Sequence, residues 1–572
     1  MAARVLSEIK VERDVEMKTR DGVILRADVY RPKAEGPFPV LVCRTPYDKA
    51  APLNADFAKA LAARGYIAVT QDIRGSHRSD GNLVWQFKAE AFPVECRDGE
   101  DCVHWAAELP GSDGRVGTFG VSYSSWLSWC MAAHRPPPLR ALAMSGIPAS
   151  IHDLNFGIFE TGRRLQWTFS QASALRHRAG DTGWPDTLAE ANEDWLQIQR
   201  GKWTWHLPLD TIPAEVFGPL DGDLKAYMRE QARELWPLPE VHRGLDIPVL
   251  VQTGWWDRLS LCISHYTGMV ENGAPDVAGK HRLYIGPWPH HPFGMKGRIG
   301  PVNYGPEADV YYPDMIADWY DFHYKGRATA LATGAPVQLF IVNDNTWQGF
   351  ETWPPPAMRE TAFHLGGGGS ANTPAGDGRL TREAPGADEP ADHYTYDPVD
   401  PVMSLMGADS QMLPVDQRRN ARRRDILVYQ TEPLAEDLLL IGPVRMELWA
   451  ASDRPDTDFA VKLIEVRPDG LAINLSSGIL RARYREGYHR EVMLTPGEPT
   501  LLTIGLLPVG VRLQTGSRLR VDIASADFPA FDRNHNTGRD DLSDATLVVA
   551  HQTIFHDAAH PSRIVLPVVA EE

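Results

Sequence analysis

The sequence predicts an α/β protein with two additions: a mostly parallel sheet covered by helices, an all-helical insertion within it, and a C-terminal all-β domain. Three observations carry that prediction. Short apolar runs alternate with helical stretches through residue 144 and again from residue 248. Residues 150–240, between them, show no clear strand pattern. From about Val337 onward, short alternating strands recur instead. At 572 residues the chain is also too long for one hydrophobic core, so about three domains are expected.

The elements follow in order. Residues 15–31 alternate apolar and polar around Asp21-Gly22, the pattern of a β-hairpin. Pro39–Cys43 is a short apolar strand, Asp56–Arg64 a helix stopped by Gly65, and Tyr66–Gln71 a second apolar strand. Arg97–Leu109 reads as a helix ending at Pro110-Gly111. Arg115–Phe119 is a strand, Tyr123–Ala133 a helix and Arg140–Met144 a strand. This βαβα rhythm implies a parallel sheet with helices on both faces. The rhythm stops near Pro148, where aromatic-rich helical patches begin, and resumes with the strands Val249–Thr253 and Leu283–Ile285. A helix near Asp314–Lys325 closes this region. Val337–Val342, Val444–Ala450, Phe459–Val466 and Leu519–Ile523 then read as strands of a β-sandwich of the jelly-roll kind.

Bulk composition narrows the partners. Apolar residues make up 43% and charged residues 23%, as in soluble globular proteins, and the net charge is −17. That charge argues against nucleic acid or an anionic membrane surface as the main partner. The basic run Arg418–Arg424 is read as a solvated or ion-paired stretch. No apolar run has the length of a signal-peptide core or a membrane span, so a cytoplasmic protein is expected. The five cysteines are odd in number, scattered, and expected to be free thiols. Homo-oligomerisation is left open.

Chemistry enters at Gly120-Val121-Ser122-Tyr123, an abrupt turn between a buried strand and a helix. A serine hydroxyl is a poor nucleophile unless it is exposed and has a neighbouring base. Such a turn exposes the serine and aims the following N–H at a developing oxyanion. The base must be a histidine held by a carboxylate. In the chain order of an α/β-hydrolase the acid and then the base follow the serine, each after a later strand. Asp257 follows Val249–Thr253 in Gly254-Trp255-Trp256-Asp257, and His290 follows Leu283–Ile285 in Gly286-Pro287-Trp288-Pro289-His290. His291 is an adjacent competitor for the base, and a helix N-cap is the plain alternative for Asp257. Asp72, Arg74 and Asp98 read as structural, with Asp72 and Arg74 as an ion pair. The chemistry requires no metal or cofactor, and neither is expected.

Taken together, these motifs resemble the cocaine-esterase-type (CocE/NonD) branch of the X-Pro dipeptidyl-peptidase family of α/β-hydrolases. The resemblance extends through Arg44-Thr-Pro-Tyr47-Asp-Lys, Gln71-Asp72-Ile-Arg74-Gly75 and Asp98-Gly99. In the C-terminal half it includes Tyr396-Asp-Pro, Asp456-Thr-Asp-Phe459, Arg481-Ala-Arg-Tyr484 and Phe528-Pro-Ala-Phe-Asp-Arg-Asn534. It implies an α/β-hydrolase core at residues 1–148 and 244–335, an inserted helical cap at 149–243 and a C-terminal all-β jelly-roll domain at 336–572. It also implies an oxyanion hole made by the Tyr47 hydroxyl and the Tyr123 N–H, and an acyl-pocket role for Leu259. Trp167, Phe169 and Met406 are the further substrate-pocket candidates. Two positions depart from the family pattern. Ser125 replaces a glycine three residues after Ser122, and His77 replaces the second glycine of the loop after Asp72.

The expected activity is hydrolysis of a small-molecule carboxylic ester through an acyl-enzyme. An amide- or peptide-directed acylase of the same family is the alternative: a glutaryl-cephalosporin acylase, an α-amino-acid ester hydrolase or an X-Pro dipeptidyl peptidase. The last two need carboxylates for a substrate ammonium, for which Glu307 and Asp309 are candidates. An acyltransferase would use the same triad. From another class, the β domain admits a carbohydrate- or partner-binding protein with a vestigial core.

Overall fold

The computed structural model describes residues 8–231, 233–290, 296–406 and 412–570. Ten strands form the first sheet: β1 (Ile9–Lys18), β2 (Ile24–Pro32), β3 (Phe38–Thr45), β4 (Ile67–Asp72), β5 (Ser112–Thr118), β6 (Leu139–Ser145), β7 (Val249–Trp256), β8 (Arg282–Pro289), β9 (Val337–Ile341) and β10 (Thr346–Phe350). Their order is β1-β2-β4-β3-β5-β6-β7-β8-β9-β10. From β4 to β9 every neighbour runs parallel, and the strands at both ends pair antiparallel. β4 and β7 are buried along their whole length, whereas the edge strand β1 is largely exposed. That contrast is what helices on both faces of a parallel sheet produce.

Helices α1 (Pro52–Ala63), α2 (Ala91–Ala107) and α3 (Tyr123–Ala132) connect the early strands. α2 starts six residues before the sequence reading placed it; Pro93 fits there because a first-turn N–H has no helical partner to lose. The order reverses around β3, which lies between β4 and β5. Open α/β sheets bind ligands in the crevice beyond the carboxyl ends of strands at such a reversal. Tyr47 follows β3 and Ser122 follows β5, so both sit at that crevice.

Between β6 and β7 the described residues form helices and no strand, the longest being α4 (Thr161–Ala179). One expectation is corrected: Val337–Val342 was assigned to the β domain, yet β9 pairs parallel with β8, Val337 opposite Leu283. An alternating strand of that length looks the same at a sheet edge as in a sandwich, and only its partner tells them apart. The sheet therefore runs past residue 335, with β10 as its last strand. The eleven-stranded sheet begins at Met358–Gly366 and ends at Arg563–Val569. Its long strands Leu438–Ser452 and Thr500–Leu513 pair antiparallel. All five cysteines are buried free thiols. No helix among the described residues is long and apolar enough to cross a membrane.

Candidate active site

Ser122 caps α3 with φ 62° and ψ −122°, outside the regions an L-residue prefers. The turn is held from behind. The Ser122 N–H donates to the Ser145 carbonyl at 2.9 Å, which ties it to the end of β6. Ser125, the departure from the family pattern, is fully buried. Its hydroxyl lies 2.9 Å from the carbonyls of Gly120 and Ser145 and accepts the Ser145 N–H at 2.8 Å. A serine here therefore adds hydrogen bonds between helix and strand that a glycine cannot make. Tyr123 begins α3, so its N–H is one of the amino-terminal donors that no helical carbonyl reaches.

Asp257 and His290 lie at the ends of β7 and β8. The His290 Nδ1 is 3.1 Å from both carboxylate oxygens of Asp257. Asp257 Oδ1 also accepts the Leu259 N–H at 2.9 Å, and Oδ2 the Thr253 hydroxyl at 3.4 Å. Burial pushes the Asp257 carboxyl up, but the His290 charge and hydrogen bonding outweigh it and hold the group below its ordinary value. Burial pulls His290 below its ordinary value, with Asp257 opposing that and Arg163 and Arg258 adding to it. His291 lies outside the described residues.

Gly146 joins these pieces, and the sequence reading missed it. It follows Ser145, the partner of Ser122, at φ 58°. A Cβ there would lie 2.8 Å from Asp257 Oδ2 and 2.9 Å from His290 Cε1. One turn, Ser145-Gly146, thus touches the Ser122 backbone and, within a methyl's width, the Asp257–His290 pair. Gly254 serves β7 similarly, since a Cβ there would lie 2.0 Å from the Trp288 carbonyl on β8.

The β domain clamps the end of β7 that leads into Asp257. Trp256 Nε1 donates to the Asn474 carbonyl at 3.1 Å, and Trp255 packs so tightly on Gly510 that a Cβ there would lie 2.2 Å from the indole. Both indoles are at most 2% exposed. Burying one removes on the order of 200 Å² from water, worth about 5 kcal/mol gross, against about 1 kcal/mol net for its hydrogen bond.

Tyr47 and Ser122 line the same cavity, and the Tyr47 hydroxyl accepts the Trp167 indole N–H at 3.2 Å. Burial raises the Tyr47 hydroxyl above its ordinary value and keeps it a neutral donor. His77 takes the left-handed conformation of the glycine it replaces, with φ 40°, and its Nε2 lies 3.0 Å from the carbonyl of Pro46, the residue before Tyr47.

A cavity of about 240 Å³ opens over Ser122, lined by Tyr47, Leu154, Trp167 and Leu259, with Arg163 and Arg164. Two pocket candidates lie elsewhere. Phe169 is fully buried against Trp184 and Trp195 inside the helical insertion. It follows Trp167 by two residues, about 200° around the helix, so the two rings face opposite ways. Met406 lines the neighbouring cavity, which shares Leu154 with this one. Arg74 pairs with Asp98 at 2.6 Å, not with Asp72, which accepts the Lys49 N–H. Glu307 and Asp309 are exposed and line neither cavity.

Residues 21–292 match the model of the X-Pro dipeptidyl-peptidase (S15) family, and residues 330–565 that of the X-Pro dipeptidyl-peptidase C-terminal non-catalytic domain. The chain is 34% identical to the cocaine esterase of Rhodococcus sp. (strain MB1 Bresler), over 98% of both chains. It shares its fold with an α-amino acid ester hydrolase, at TM-score 0.76 and 24% identity over 99% of this chain and 98% of that one. An aminopeptidase from a marine sediment archaeon (Thaumarchaeota) matches at TM-score 0.76 and 23% identity over 100% and 98%. With two family models covering both halves and a cocaine esterase alike from end to end, the chain belongs to the cocaine-esterase-type branch of the X-Pro dipeptidyl-peptidase family of α/β-hydrolases and is a serine hydrolase of the esterase kind.

Proposed function

We propose that the protein hydrolyses a small-molecule carboxylic ester through an acyl-enzyme on Ser122. Ser122 Oγ attacks the ester carbonyl while His290 takes its proton. The Tyr47 hydroxyl and the Tyr123 N–H hold the oxyanion. As the tetrahedral species collapses, the C–O bond breaks and His290 returns the proton to the departing alcohol. Water, deprotonated by His290, then attacks the acyl carbon, and Ser122 leaves with that proton. Asp257 orients His290 and stabilises its charged form. The helical segment 149–243 acts as the lid, bringing Trp167 to the acyl group.

The observation that carries this reading is the Ser145-Gly146 turn, which lies against both the Ser122 backbone and the hydrogen-bonded His290–Asp257 pair. A fluorophosphonate probe should label Ser122 in the wild type, and Ser122→Ala should lose hydrolysis by on the order of 10⁵-fold with its fold intact. Wild-type turnover in that variant would remove Ser122 from the mechanism. An amide or peptide substrate with a free ammonium is less well supported, because Glu307 and Asp309 line neither cavity.

A further inference from the structure

The second cavity, about 690 Å³, lies where the helical insertion, the acid loop and the β domain meet. Its wall is largely apolar, with Leu154, Phe156, Met406, Leu507 and Phe531. Two of its charged residues cancel each other, since Lys462 donates to Asp527 at 2.9 Å. Arg258 is different. It directly follows the acid, lines this cavity, and has only 12% of its side chain exposed. Among the described residues its anionic contact is Glu160, and that carboxylate also takes Arg164 at 2.6 Å.

One carboxylate thus serves two guanidiniums. Asp257 does not make up the difference, because its oxygens are engaged by His290, Leu259 and Thr253. Arg258 Nε and Nη2 have no hydrogen-bond partner among the described residues. An arginine does not escape by losing its proton at neutral pH. Burial lowers Arg258 only to about 9. A buried cation short of counter-charge is costly unless a ligand supplies the anion.

We infer that Arg258 receives a carboxylate carried by the substrate: the ester has a second, free carboxylate that passes Leu154 from the Ser122 cavity and pairs with this guanidinium. The inference rests on the esterase reading and adds the substrate class. A planar carboxylate matches the guanidinium fork, and the apolar wall accommodates the linking chain. An ammonium in the same place would meet surplus positive charge.

Two ester pairs test it. Mono-4-nitrophenyl adipate and its methyl ester differ in a free carboxylate on the acyl half. The butyrate esters of 3-hydroxybenzoic acid and of methyl 3-hydroxybenzoate differ in one on the alcohol half. In at least one pair the wild type should favour the acid by about tenfold or more in kcat/KM, the scale of one charged hydrogen bond. Arg258→Gln should bring that ratio near one, and Arg258→Lys should keep part of it. Wild-type ratios at or below one in both pairs overturn the inference, whether or not the variants fold, as does an undiminished ratio in a folded Arg258→Gln. Methyl esters turned over without preference for the acids sink this inference alone. No turnover of any of the four, with no fluorophosphonate label on Ser122, sinks the esterase reading and this inference with it.

Discussion

Around Ser122 the supporting contacts come from the α/β sheet and its own helices. Ser145 accepts the Ser122 N–H, Ser125 ties α3 to β6, and the Tyr312 hydroxyl, on the helix Tyr312–Lys325, donates to the Gly120 carbonyl at 2.9 Å. Around Asp257 the supports come partly from the other domain, through Trp255 on Gly510 and Trp256 on Asn474. Among the described residues the strained Ser122 turn is held by contacts from the core, whereas the position of Asp257 also depends on how the β domain packs. A domain matched by a non-catalytic family model therefore packs directly against the strand that ends at Asp257, through two buried indoles.

Four substitutions bear on that contrast. Tyr47→Phe removes a donor on the nucleophile's side without touching the β domain. It should raise the barrier by about 3 kcal/mol while Tm barely moves. An unchanged kcat would reduce Tyr47 to packing. Gly146→Ala acts where the two regions meet, forcing a methyl toward Asp257 and His290 at a left-handed φ. A displacement of this kind costs about 10² in kcat, and steady-state kinetics on a chromogenic ester would reveal it.

Trp256→Phe keeps most of the buried area but loses the hydrogen bond to Asn474. A fall in kcat of about tenfold is expected, corresponding to roughly 1.4 kcal/mol of lost positioning of Asp257. Wild-type kcat in a folded Trp256→Phe would erase the asymmetry between the regions. Ser125→Ala should do the reverse. It leaves the buried Ser145 N–H without its acceptor, which costs about 1–3 kcal/mol in denaturant unfolding, while kcat stays within about threefold. A large loss of kcat with stability intact would show that Ser125 acts on the chemistry.

The grouping of Ser122, Asp257 and His290 was legible because all three sit at the ends of strands. Ser122, Asp257 and His290 each follow an apolar run with glycine nearby, and their chain order is dictated by the sheet. Gly146 was not legible. It is one of 48 glycines, and what makes it special is the approach of β7 and β8 residues more than 100 positions away. Arg258 was hidden for the same reason, since the counter-charge it shares belongs to Glu160, brought to it by the helical insertion. Which of Trp167 and Phe169 faces the Ser122 cavity was not legible although the helix itself was, because composition marks aromatic residues but not the side they face. The place of Val337–Val342 depended on its partner strand, which no local pattern encodes.

The central claim is that Ser122, with His290 and Asp257 behind it, carries the acyl group. Quenching the enzyme in acid during turnover of 4-nitrophenyl butyrate, followed by peptide mass mapping, tests it directly. The expected result is a butyryl adduct on the peptide holding Ser122, absent from Ser122→Ala. An adduct on another residue, or full turnover in Ser122→Ala, would contradict the account.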